Sequence, residues 1–374
     1  MPQIQPKWKW LVLLMLPLFP TYSQTRYSLQ EAIQYGVTHN INVKNTQVDA
    51  QSAESRIGEI RSVGLPQVSA SMSLMDNLII QRVFLPAIFF DAQAPEGAPP
   101  VPVQFGVKYS GNAALQLNQM IFNAQWLLGL KAAQTYRELA VKNVTQSKVQ
   151  VAESVSKAYY GVLIAEERAK LLDLNIQRLD SLTREMSAMN QKGFVEKLDV
   201  DRLEVSLNNL KTERSKVQNM VDLSYYMLKF QMGMKLDETI QLTDRINEAD
   251  VNRIASEVKA DDGSLFKYDQ RIDYSILKSN LLLSEMDVEN NKRGYYPTVS
   301  AFAGYGYNTG RNSFGEVFGS PWFNNANIGL SINIPVFDGF AKKYKIQQAK
   351  FTVDKVKQSL SLVEQSIDLQ IRSA

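Results

Sequence analysis

The 194 positions from Val103 to Tyr296 contain no proline (296 − 102 = 194), although the chain has 13. Ten lie between Pro2 and Pro102, and the others are Pro297, Pro321 and Pro335. At average usage of about 5%, roughly ten would be expected in a stretch of that length. Turns recruit proline, whereas the interior of a long helix excludes it, because the ring removes a donor and clashes with the preceding turn. A chain of 374 residues built this way is not two or three compact domains. It is expected to be dominated by long helices.

Chemistry-bearing residues are scarce. Cysteine is absent and histidine occurs once, at His39, which excludes disulfides, thiol catalysis and Cys/His zinc sites. A lone histidine in a helical segment reads as structural. Asp199 and Asp201 stand two apart, so they face different sides of a helix and make no acid/base pair. No enzyme, cofactor or metal site is expected. The net charge is +3, of which Lys7 and Lys9 belong to the leader, and nothing in it calls for nucleic acid.

The leader sets the compartment. Lys7-Trp8-Lys9 precedes the apolar run Trp10 to Phe19, and Thr21 and Ser23 supply the small residues for cleavage after Ser23. Ten apolar residues fall short of the ~20 a spanning helix needs, so residues 1–23 read as an export signal. With no cysteine available, no lipid anchor on one is expected.

Self-comparison uncovers a repeat. Leu65-Pro66-Gln67-Val68-Ser69-Ala70 matches Tyr296-Pro297-Thr298-Val299-Ser300-Ala301 at an offset of 231 (296 − 65). The stretch from Leu115 to Ala124 matches Leu330 to Gly339 at an offset of 215 (330 − 115). The extra length of the first copy falls at the Pro/Ala-rich stretch Pro95 to Pro102, which reads as a loop. Each copy reads as helix, strand, loop, strand, helix. The strands alternate: Val68, Ala70, Met72 and Leu74 against Gln67, Ser69, Ser71 and Ser73, and Ile328, Leu330, Ile332, Ile334 and Val336 against Gly329, Ser331, Asn333 and Pro335. The second strand of the first copy sets Leu115, Leu117 and Ile121 against Gln116, Asn118 and Met120, with Gln119 breaking the pattern. Such strands suit a half-buried soluble sheet or an outer-membrane barrel whose polar face lines a lumen.

From about Asn123 to Gln191 the chain reads as one helix, which at ~1.5 Å per residue would reach ~100 Å. Leu172, Leu179 and Met186 repeat every seven residues, as do Leu203, Leu210 and Val217 after a break. The break, Lys192 to Val200, reads as the tip of a helical hairpin, with Gly193 able to take the left-handed conformation that ends a helix. The methionines in these stripes read as packing residues.

The organisation is therefore a leader at 1–23, a first repeat at 24–235, a connector at 236–265 and a second repeat at 266–374. Strands are expected near 66–80, 104–122, 297–308 and 325–337, with the tip near 193. The fold class is mainly α with a small β part. Four strands cannot close a barrel, since small closed ones need about eight. A membrane-embedded sheet of this kind must pool strands from several copies; three would give twelve.

These residues resemble the TolC-type outer membrane efflux proteins. The resemblance is carried by the leader, the Leu29-Gln30-Glu31-Ala32-Ile33 opening and the Leu-Pro or Tyr-Pro before each first hairpin strand. It is carried also by Gly193-Phe194-Val195-Glu196-Lys197-Leu198-Asp199-Val200 and Pro335-Val336-Phe337-Asp338-Gly339, and it runs from Tyr27 to Ala374. It implies a homotrimer whose long coiled-coil helices form a periplasmic α-barrel and whose strands form a twelve-stranded barrel in outer-membrane lipid of a Gram-negative bacterium. It also implies passive export of substrates delivered by an inner-membrane pump through a periplasmic adaptor. The tip residues Lys192, Gly193, Phe194, Val195, Glu196 and Asp199 are the implied adaptor contact. Ser69, Ser71, Ser73, Gln116, Asn118, Ser331 and Asn333 are assigned to the lumen on their polarity.

By the 215 offset Ala374 corresponds to Tyr159, whereas the first copy runs on helically to about Met232. About seventy-three further residues (232 − 159) are expected, carrying the second tip and the gate, and this stretch alone is expected to be impaired as a channel. The competing reading is a secreted coiled-coil structural or adhesive protein with a soluble β cap.

Overall fold

The computed structural model describes residues 25–245, 268–319 and 321–373. The leader lies outside them, as does the part of the expected connector beyond 245. Among the described residues there are eight strands and six α-helices: α1 (Leu29–His39), α2 (Ile41–Ser62), α3 (Ala124–Gln191), α4 (Lys197–Met232), α5 (Ile272–Arg293) and α6 (Ala341–Ser373). The fold is mainly α with a smaller β part, and it is duplicated. α2 and α5 are both 22 residues long and stand 231 apart (272 − 41), the offset of the matching Leu-Pro and Tyr-Pro segments.

The strands β2 (Gln67–Asp76), β5 (Tyr109–Phe122), β7 (Thr298–Arg311) and β8 (Phe323–Asn333) form one antiparallel sheet in the order β2-β5-β7-β8. Strand β2 stops at Asp76 because Asn77 turns the chain, its N–H donating to Lys108 O (2.7 Å) and its Nδ2 to Val107 O (2.9 Å). Strand β8 stops at Asn333, before Pro335, which has no N–H to give a ladder. Between β2 and β5 the chain makes a short hairpin, β3 (Arg82–Leu85) on β4 (Val101–Gln104), where the sequence suggested only a loop.

The chain divides into two units. One comprises, of the described residues, 42–148, 268–319 and 321–373, and it holds the sheet. Here Trp126 packs its ring over Gly64 while its Nε1 donates to Ile60 O (2.7 Å), and Gln119 Nε2 donates to Gly64 O (2.8 Å). A Cβ on Gly64 would meet the Trp126 ring at 2.3 Å. Gly64→Leu should therefore lower the thermal midpoint, and Gly64→Leu combined with Trp126→Ala should recover part of the loss.

The other unit comprises, of the described residues, 25–41 and 149–245. Within it α3 and α4 pair through Ala165, Ala169, Val217 and Val221, with Leu172 and Tyr225 against them. Of the heptad lines read from the sequence only Val217 is buried, while Leu172, Leu179, Met186, Leu203 and Leu210 are half-buried; the buried line on α4 is Val200, Leu207, Val221 and Leu228. A second apolar line is not covered, and Leu182, Met189, Met220 and Met227 are exposed. Arg214 grips Asp173 with two hydrogen bonds, Nε–Oδ1 2.8 Å and Nη2–Oδ2 3.1 Å, and so holds that carboxyl below its usual pKa. A depressed carboxyl contributes stability above its unfolded pKa of about 3.9, which is lost as pH falls through the folded value. Asp173→Asn should therefore lower the urea midpoint at pH 7, and the difference from the parent should shrink as pH falls through the folded value.

At the base of this hairpin β1 (Thr25–Tyr27) pairs in parallel with β6 (Ile240–Leu242), a contact no sequence pattern announced. Tyr159 is fully buried beneath it and donates to Tyr27 O at 3.0 Å. Burial, aided by the Asp244 carboxylate, pushes its hydroxyl up to about 12. His39 stacks on Tyr35 with ring centroids 4.0 Å apart in the last turn of α1, which is a structural role.

Candidate functional site

Directly opposed residues of antiparallel strands project to the same side, so the register fixes both faces of the four-stranded sheet. Ser69 opposes Gln116, Gln67 opposes Asn118, and Ser73 opposes Asn112. Gln116 in turn opposes Gly304, which opposes Asn327, while Ser331 opposes Ser300 and Asn333 opposes Thr298. Ser69, Ser71, Ser73, Gln116, Asn118, Ser331 and Asn333 thus all lie on one face. Glycines make room on it: the Asn327 side chain lies over Gly304 and the Phe302 ring over Gly329.

The other face carries Val68, Ala70, Met72 and Leu74, then Leu115 and Leu117, then Ala303, Tyr305 and Tyr307, then Ile328, Leu330 and Ile332. Its large members are exposed, Ile328 to 86%. Tyr305 and Tyr307 bring their hydroxyls to 3.0 Å of each other. Exposing an aliphatic side chain that size forfeits ~1.5–3 kcal/mol relative to burying it. A row of them on a well-paired sheet is therefore a surface waiting for an apolar environment. Across the four strands the only charged residues are Asp76 and Arg311, both at the loop end. Tyr109, Phe314 and Phe318 cluster at that end, with ring centroids 5.6 and 5.5 Å apart.

The sheet has two free edges, since β2 and β8 each pair on one side only. A β-bulge between Met120 and Phe122 re-aims the end of β5: Phe122 opposes Val299 on the apolar face and Ile121 is the extra residue. The sequence reading, which set Ile121 in line with Leu115 and Leu117, is corrected here, because the bulge takes Ile121 out of the ladder. Gln119 lies on the apolar side but spends its amide on Gly64 O and Met120 O.

In the other unit, the segment between α3 and α4 is a helix stop followed by a restart. Gly193 has φ +81°, Phe194 N–H donates to Met189 O (3.0 Å) and Gly193 N–H to Asn190 O (2.9 Å), the two bonds of a Schellman motif. Asn190 Nδ2 closes the turn on Val195 O at 2.7 Å. Glu196 is the N-cap of α4 but makes no side-chain capping bond, and Asp199 in its first turn pairs with Arg202 at 3.6 Å. Lys192, Gly193 and Glu196 are exposed, Val195 and Asp199 are half-buried, and Phe194 is 81% exposed. The segment offers one bare aromatic ring framed by charges of both signs.

Among the described residues no group of three or more acidic or histidine side chains is placed to hold a metal ion. No helix among them is long and apolar enough to cross a membrane.

No protein-family profile matches the chain. Outer membrane protein TolC of Vibrio cholerae is similar to it, with 18% identity over 265 residues, 70% of this chain. That match spans 59% of the relative's own length. Among solved structures, the Campylobacter jejuni CmeC outer membrane channel superposes with a TM-score of 0.67 at 14% identity, over 98% of this chain and 76% of that one. The outer membrane protein VceC of Vibrio cholerae superposes at 0.63 and 14% identity, over 90% of this chain and 75% of that one. At such identities the likeness speaks for the fold.

Proposed function

Because this chain has the fold of the TolC-type outer membrane channels and resembles TolC in sequence, we propose that it is the outer membrane duct of an export system. The observation that carries the proposal is the sheet: polar on one face, apolar and exposed on the other, nearly uncharged, and open at both edges. In hydrocarbon each unpaired backbone group costs several kcal/mol, so the edges of β2 and β8 must meet strands of further copies. Three copies supply twelve strands, enough to enclose a lumen. The strand residues on the polar face, from Ser69 to Asn333, line that lumen, and the apolar face meets lipid. The long helices form the periplasmic portion. Passage is passive: the wall carries small polar groups and performs no chemistry.

The same reading assigns the exposed turn from Lys192 to Asp199 to a periplasmic adaptor that links the duct to an inner-membrane pump. Gly193→Val puts a β-branched residue at φ +81°, where nothing lies within 4 Å of the new Cβ. The cost, ~1–2 kcal/mol, is conformational and local. Adaptor association should weaken about tenfold while the trimer persists; loss of the trimer would make the turn purely structural. The duct itself is tested by conductance of the purified full-length protein, including any residues that follow Ala374, in planar bilayers. Steady conductance altered by Ser71→Lys is expected, and a silent bilayer contradicts the proposal.

A further inference from the structure

The connection from β2 to β5 is built unlike its counterpart in the second copy. Between β7 and β8 the loop folds back on the sheet: Val317 is 1% exposed, the Phe314 ring meets Tyr109 edge-on, and Arg311 Nη2 donates to Pro321 O at 2.8 Å. Between β2 and β5 the chain instead runs through 32 residues, 77–108 (108 − 76 = 32), and raises the β3–β4 ribbon. That ribbon pairs with no other described strand. Its two sides are both apolar. Val83, Leu85, Val101 and Val103 share one side, and on the other Phe84 opposes Pro102.

A lone two-stranded ribbon is at best marginally stable in water and needs further apolar cover. Here the cover is missing: Leu78 and Ile79 are 85% and 92% exposed, and Phe84, Ile88 and Phe89 are exposed with them. Three observations identify what supplies it. Residues 77–108 carry only four charges, Arg82, Asp91, Glu96 and Lys108, two of each sign, so identical ribbons meet without net repulsion. The ribbon stands beyond the row Asp76, Tyr109 and Arg311, whose charges mark the end of the sheet and exclude hydrocarbon there. It also springs from β2, the free edge that must meet another copy. Twelve strands ~4.8 Å apart and tilted by ~40° close a ring ~24 Å across, and a four-residue strand such as β3 spans ~13 Å, about the radius of that ring.

We propose that the β3–β4 ribbon docks on the same ribbon of neighbouring copies, and that this apolar clasp narrows the outer mouth of the duct. The partner is a second copy of this chain, because rotational symmetry brings one ribbon from every copy to a single axis. The short loop of the second copy takes no part, since its apolar residue Val317 is already buried. The inference rests on the outer-membrane reading of the sheet.

The absence of cysteine makes the test clean. The full-length protein, including any residues that follow Ala374, is prepared as Phe89→Cys and, for the other loop, as Phe318→Cys, both at exposed positions. In vesicles of phosphatidylethanolamine and phosphatidylglycerol, mild oxidation should link Phe89→Cys chains into dimers about tenfold more than Phe318→Cys chains. The yield should not depend on protein density, because the thiols share one particle. Adding Ile79→Asp and Phe84→Asp should remove most of the link. In the cysteine-free chain the same pair should raise single-channel conductance while three copies per particle persist. Conducting trimers without the Phe89→Cys link overturn the clasp and leave the duct standing; monomers or a silent bilayer overturn the duct, and the clasp with it. A fluorophore on Phe89→Cys that is quenched by brominated lipid would assign the ribbon to the membrane surface and also refute the clasp.

Discussion

Ile328→Arg is expected to abolish most membrane assembly. Ile328 stands sixth of the eleven residues of β8, on the apolar face and 86% exposed. If that face met water, arginine would be harmless there, since exposed substitutions away from special features stay within about 0.5 kcal/mol. If it meets lipid near mid-bilayer, an arginine costs ~2–4 kcal/mol per chain. That is roughly a thirtyfold or greater loss in the folding equilibrium. Ser331→Arg, three residues on and on the opposite face, should assemble normally and alter conductance instead. The fraction folded into vesicles, read as heat-modifiable gel mobility, checks both variants. Normal assembly of Ile328→Arg would favour a secreted scaffold with a soluble cap, the one other reading the sequence supports.

The second large effect concerns Gly233, which ends α4 as Gly193 ends α3. Their dihedrals are close, φ +74° and +81°, but their surroundings differ. A Cβ on Gly233 would lie 2.9 Å from Asn40 Cα and 3.0 Å from His39 O, both backbone atoms that cannot swing aside. Asn40 is itself tied down, its Nδ2 donating to Gln231 O at 2.8 Å. Gly233→Val therefore adds a backbone clash to the ~1–2 kcal/mol conformational cost. It should lower the thermal midpoint several degrees further than Gly193→Val and loosen α1 from α4. Thermal unfolding in detergent, compared with Gly233→Ala, measures the contrast. Equal losses at the two glycines would contradict this packing of α1 on the end of α4.

Much of the fold was legible because duplication and periodicity are one-dimensional signals. The offset of 231, read from a few matched residues, reappears in the starts of α5 and β7, and the offset of 215 reappears to within one residue in the start of β8 (323 − 109 = 214). Strict alternation placed seven polar residues that the pairing register collects on one face. What escaped depended on contacts distant in sequence. The parallel pairing of Thr25–Tyr27 with Ile240–Leu242 is only three residues long on each side. The bulge gave no signal, because Ile121 continued the alternation of Leu115 and Leu117, and only the register shift shows Phe122 turned onto the apolar face. The short β3–β4 hairpin was hidden by prolines, since Pro102 sits inside it on a strand with a free edge.

The exposed second apolar line of α3 and α4, including Met220 and Met227, has the same meaning as the free strand edges. Under the proposed trimer, both are surfaces that neighbouring copies cover. Assembly is therefore the decisive property, and its most direct measurement is the mass of the purified protein by light scattering, with and without detergent. Three copies per particle, soluble only with detergent, is the predicted result. A single copy, monodisperse in detergent-free buffer, would contradict it.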